Sequence, residues 1–175
     1  ASDTVFTFEL YKTAEYGKGA TIPTDESTLY DISGKTAIEA YTSGTIGKDG
    51  AKYSFGEITY TAADDGKTFF YVIREKALIK EDTGWTTSEV IYRKKVVVAD
   101  GGAGNLTATV TGMKIDGETI TEDNGINNLN FTNTYEASGT VSFDAKKIFK
   151  DGNLSKQNFT IRLKQVANGT ATDAN

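Results

Sequence analysis

Short runs in which apolar and polar side chains alternate recur along this chain, and Gly-containing turns such as "DDG", "KDG", "IDG" and "DGG" separate many of them. A repeat of two is the period of an extended strand, whose successive side chains point to opposite faces. "VFTFELYK" sets Phe6, Phe8 and Leu10 on one face. "KYSFGEITYT" alternates without declaring which face is buried, and "KTFFYVIREK" follows a turn at "ADDG". "EVIYRKKVVVAD" carries Val96, Val97 and Val98 in succession, the pattern of a strand buried on both faces or nearly so. "NLTATVTGMKID", "LNFTNTY" and "GTVSFDAKKIF" continue the alternation. Only "KTAIEAYTSG" hints at a helix, and it is short and lightly patterned. Regular short strands with Gly turns predict an all-β chain, an immunoglobulin-like β-sandwich of Greek-key type.

Composition narrows what such a sandwich can do. The chain has 175 residues, enough for one domain and part of another, and its nine Phe and nine Tyr supply a core. It has no Cys and no His, which excludes a disulfide framework, a thiolate nucleophile, a Cys/His zinc site and a His-based triad. The net charge of −5 argues against a nucleic-acid surface, which needs a basic stripe. No stretch approaches the roughly 20 apolar residues of a membrane-spanning helix. No metal, cofactor, nucleic-acid partner or membrane insertion is expected.

Two stretches break the apolar alternation. In "LNFTNTY", Asn133 has the parity of Leu129 and Phe131, so it points inward, where an unpaired amide costs a few kcal/mol. In "GTVSFDAKKIF", Lys147 shares a face with Phe143 and Phe149, while Lys146 faces the other way. Glu75 lies between Arg74 and Lys76 and by itself reads as a solvated strand end. There is also an internal repeat: "VFTFEL" (5–10) aligns without gaps on "NFTIRL" (158–163), apolar face on apolar face. By this alignment residues 137–175 open a second copy of the fold. The copy over 1–136 then lacks its own equivalent of "TVSFDAKKIF", and the chain is a window on a tandem array, out of phase with its domains.

The ordered set "FTFEL", "FGEITYTAADDGKTFFYVIRE", "VIYRKKVVVADGGAGNLTATV", "LNFTNTY" and "TVSFDAKKIFKDGNLSKQNFTIRL" resembles the pilin isopeptide-linkage domain of Gram-positive major pilins and repeat-containing surface adhesins. The resemblance covers nearly the whole chain. It implies a sandwich crosslinked by a self-formed Lys–Asn amide with the help of a buried acid, and it assigns those roles to Lys147, Asn133 and Glu75. Lys147 follows Asn133 in the chain, so by the repeat the two belong to different domains, and each is half of a different bond. Lys146 is the second choice of lysine. Lys12, on the face of Phe6, Phe8 and Leu10, is a rival, although its repeat equivalent is Gln165. Such chemistry is one turnover in cis and not enzymatic catalysis. The implied partners are neighbouring repeats or subunits of the same surface fibre, and the implied location is extracellular, on a bacterial cell surface or pilus. Segment 140–150, which carries the missing strand's pattern, is also a candidate to fill the groove of a neighbouring chain and join chains covalently.

Two other functions compete. A ligand-binding adhesin module would present a glycan or host-protein site on loops such as 17–36, with Trp85 as a stacking residue, although a lone Trp in a loop is more often packing. A hydrolase would need a paired carboxylate motif, and none stands out.

Overall fold

The computed structural model describes residues 5–42, 54–78, 84–123, 129–137, 139–146, 148, 150 and 158–163. The chain divides into two compact units, Ala1–Ala137 and Ser138–Asn175. In the first, six strands form one antiparallel sheet: β1 (Thr7–Tyr16), β2 (Glu39–Thr42), β3 (Thr68–Lys76), β5 (Ile91–Asp100), β6 (Leu106–Asp116) and β7 (Thr119–Glu122), ordered β2-β1-β3-β5-β6-β7. A second sheet pairs β4 (Trp85–Thr86) with β8 (Thr134–Tyr135). Helix is confined to α1 (Glu26–Leu29) and a 3-10 turn (Ala62–Asp64) among the described residues.

The core lies on one face of the large sheet. Register sets Leu10 opposite Ile73, Ile73 opposite Tyr92, and Phe69 opposite Val96. These residues, with Tyr71, Val90 and Val98, form the buried cluster, and Phe55, Tyr60, Leu106, Val110, Leu129 and Phe131 pack on it. The other face is covered where the 17–36 segment folds over β1 and β3. There Phe70 meets Tyr16 and Tyr30 edge-on, at 5.9 and 5.4 Å. A bulge between Lys12 and Ala14 in β1 turns Thr13 inward, and its hydroxyl lies 2.7 Å from the Leu29 carbonyl oxygen and 3.1 Å from that of Phe70.

Three expectations need correction. The strand buried on both faces is β3, whose Thr68 to Ile73 are all buried, and not β5. Val97 is 38% exposed, because the covering segment packs over β1 and β3. Residues 54–61 form no strand, although Phe55 and Tyr60 still deliver their rings to the core. The "KTAIEAYTSG" stretch contributes β2, paired to β1 from Thr7↔Thr42 to Leu10↔Glu39.

In the second unit the described residues hold no regular secondary structure, and Val141, Phe143, Ile148, Phe159, Ile161 and Leu163 are exposed. The sequence predicts strands here. A strand exists only through a partner's hydrogen bonds, and alternation alone supplies none.

Candidate functional site

Glu75 sits near the end of β3, opposite Phe8 of β1, on the face of Phe69, Tyr71 and Ile73. It is 5% exposed, so the solvated reading does not hold. The parity that carries the β3 aromatics into the core carries this carboxyl in with them. Asn133 is half-buried just before β8, and the short β4–β8 ladder positions it over the end of the large sheet. That ladder is closed at Gly84, whose φ of +72° suits glycine and whose missing side chain leaves room for the Glu136 carbonyl. The Glu136 N–H donates to the Gly84 carbonyl at 2.8 Å.

The two side chains meet directly. Asn133 Nδ2 donates to Glu75 Oε1 at 2.7 Å. The Ser88 backbone N–H, just beyond β4, donates to Asn133 Oδ1 at 2.7 Å and lies 3.3 Å from Glu75 Oε2. A neutral acid at this position is expected to hydrogen-bond the amide carbonyl. Instead the carboxyl takes the amide nitrogen, because the Ser88 N–H already occupies the carbonyl oxygen. Burial pushes the Glu75 carboxyl above its ordinary range, against the opposing pull of the Asn133 and Ser88 hydrogen bonds.

Aromatic residues flank the pair: Phe8 lies opposite Glu75, and Phe131 and Tyr135 stand two residues either side of Asn133. Phe131 packs against Phe8 at 5.1 Å and edge-on to Tyr92 at 5.5 Å. Trp85 lies between Phe6, at 5.2 Å, and Tyr135, at 5.0 Å. Trp85 is therefore engaged in packing.

The other named residues fall elsewhere. Lys147 lies outside the described residues. Lys146 is exposed in the second unit. Lys12 pairs with Glu15 at 3.0 Å over the Phe69 ring, about 13 Å along β1 from Phe8, the residue opposite Glu75. Ser88 was missed by sequence reasoning, since a backbone donor leaves no mark in residue type. Among the described residues no group of three or more acidic side chains could hold a metal ion.

The family model for FctA, the Spy0128-like isopeptide containing domain, matches residues 1–136. The chain belongs to this family. No curated protein and no solved structure matched it. The two antiparallel sheets are those of the family's immunoglobulin-like β-sandwich. The family is one of structural domains of pilins and adhesins, typically found on bacterial cell surfaces and pili, and is not an enzyme family.

Proposed function

We propose that this chain is a stalk segment of a bacterial surface fibre, and that Asn133 is one half of a self-formed Lys–Asn isopeptide bond promoted by Glu75. The observation that carries this reading is the Glu75–Asn133–Ser88 triangle. It brings together a buried acid, a carboxamide and a backbone donor on the carboxamide oxygen, flanked by aromatic residues. Fold membership alone would not require these contacts.

The chemistry follows from the positions. An unprotonated lysine amine attacks Cγ of Asn133, and the Ser88 N–H steadies the negative charge that grows on Oδ1. Glu75 stands at Nδ2, where it takes the proton shed by the attacking amine and passes it to the leaving nitrogen. The C–N bond breaks, ammonia leaves, and a secondary amide remains. Burial favours the neutral amine that the attack requires. Fixing both partners on neighbouring strands gives an effective molarity on the order of 10⁵ M or more.

The reading extends to domain organisation. Residues 1–136 form one domain whose lysine comes from an opening strand ahead of residue 1, and 137–175 open the next repeat, with Lys147 as that repeat's lysine. The partners are neighbouring repeats or subunits of the same fibre, held at the cell surface. Joining first and last strands closes a loop of over a hundred residues, and by analogy with disulfides contributes about 4–5 kcal/mol.

The test is intact mass on a chain extended through both flanking repeats. Each domain loses about 17 Da as ammonia, and Glu75→Ala restores the full mass of its own domain while leaving it folded. Normal loss in that variant removes Glu75 from the mechanism. An unmodified Asn133 in the extended chain ends the reading.

A further inference from the structure

Lys94 is a basic residue carried into the core. It is 5% exposed in the middle of β5, on the inward face, opposite Tyr71 of β3 and Gly112 of β6. Lysine is rarely buried this deeply without a specific partner.

The surroundings are built to aim it. A side chain on Gly112 would place its Cβ 2.7 Å from Lys94 Cδ and 2.6 Å from the Arg93 carbonyl oxygen, so glycine there opens a lane across β6. At the end of the lane is Asp123, just past β7, whose backbone N–H donates to the Gly112 carbonyl at 2.9 Å. Its carboxylate is in ion-pair contact with Lys94 Nζ, and the two side chains are only 7% and 15% exposed. The Tyr92 ring lies 5.7 Å from the same Nζ. By contrast, the Lys18–Asp65 and Lys114–Asp116 pairs leave both side chains at least 31% exposed.

We propose that Lys94 and Asp123 condense into a second crosslink, a Lys–Asp amide, independent of the Asn133 site. Transfer of one proton from the ammonium to the carboxylate converts the buried ion pair into an amine and a carboxylic acid, which need no charge solvation. Nζ attacks Cγ, the C–O bond to the hydroxyl breaks, and that oxygen leaves as water with a second proton from nitrogen. No co-reactant is required. The backbone hold on Asp123 and the lane at Gly112 supply the proximity that makes condensation favourable in spite of surrounding water. The bond ties β5 to the segment after β7, across the 29-residue separation of the two residues.

Intact mass of the 175-residue chain tests this directly. The expected result is a loss of about 18 Da, with a branched tryptic peptide joining Lys94 to Asp123 and no cleavage after Lys94. In Asp123→Asn the loss changes to about 17 Da, because ammonia leaves in place of water. The wild-type measurement needs no variant to fold. Full unmodified mass, or a loss of 18 Da that maps to an Asp-Gly succinimide with Lys94 still cleavable, overturns the proposal.

Discussion

Asn133→Ala tests the site in the chain whose Asn133 has not reacted. The variant removes two hydrogen bonds with different consequences. The Ser88 N–H loses its 2.7 Å acceptor but still has Glu75 Oε2 at 3.3 Å, so its loss is about 1 kcal/mol or less. Glu75 Oε1 loses the 2.7 Å hydrogen bond donated by Asn133 in a buried setting, which costs about 1–3 kcal/mol. Asn133 is half-buried, and water entering at its place recovers part of this, so the expected destabilisation is about 2 kcal/mol. For a unit of this size that lowers Tm by roughly 6 °C. Trp85 is the only tryptophan in the chain and sits against Phe6 and Tyr135 beside the site, so its emission in a urea titration reports the unfolding of this unit. The midpoint should fall with the slope unchanged. In a Glu75→Gln background the same substitution should cost about 1 kcal/mol less, since the partners are coupled. A loss under about 0.5 kcal/mol, or strictly additive effects, would refute the argument that these groups hold one another.

Two further outcomes follow from the same geometry. Glu75 has a folded pKa raised above the ordinary 4.5, so its stabilising contribution is complete below about that pH and is lost as pH rises through the folded value. Urea titrations from pH 4 to 7 should therefore show wild type losing stability relative to Glu75→Gln, and a flat difference would mean that the carboxyl is solvated. Thr13→Val keeps the shape of the β1 bulge but removes the hydroxyl on the Leu29 carbonyl. It should destabilise by about 1–2 kcal/mol in the same urea assay, and a neutral result would mean that water reaches that carbonyl.

The sequence made some of this legible and hid the rest for physical reasons. Parity placed Asn133 on the inward side because a strand's faces are fixed by counting. The same counting puts Glu75 with Phe69, Tyr71 and Ile73, yet flanking Arg74 and Lys76 disguised it, since a charged triplet resembles a strand end in water. Its burial depends on Phe8 of β1 and on the Ser88 and Asn133 contacts, and none of these can be read from β3. The double burial of β3 comes from the 17–36 segment folding back over it, a long-range packing event with no local signature. The same limit applies to 54–61, whose alternation is strand-like but whose aromatic residues reach the core from an irregular path. Lys94 was invisible among Arg93 and Lys95, and only the opposite Gly112 reveals the lane it occupies.

The residues that break the apolar pattern share one energetic logic. In the proposed reaction an acid, an amide and an incoming amine each cost desolvation before any bond forms, and a half-satisfied polar network is worse than an apolar core. Amide formation changes that balance. The amine ceases to be a group that must be kept uncharged, the leaving nitrogen departs, and the new amide offers one N–H and one C=O. The Ser88 N–H already points at that C=O, and Glu75 Oε1 stands where the new N–H will need an acceptor. The partners that polarise the reactants are thus placed to satisfy the product. Before reaction the polar groups of the site are held by one another's hydrogen bonds, and in the proposed reaction the same partners pass to the product amide. A buried polar triangle at the meeting of a closing strand and a core strand is therefore what a self-crosslinking sandwich needs, and a sandwich without the bond would do better with Val, Leu and Phe at the same positions.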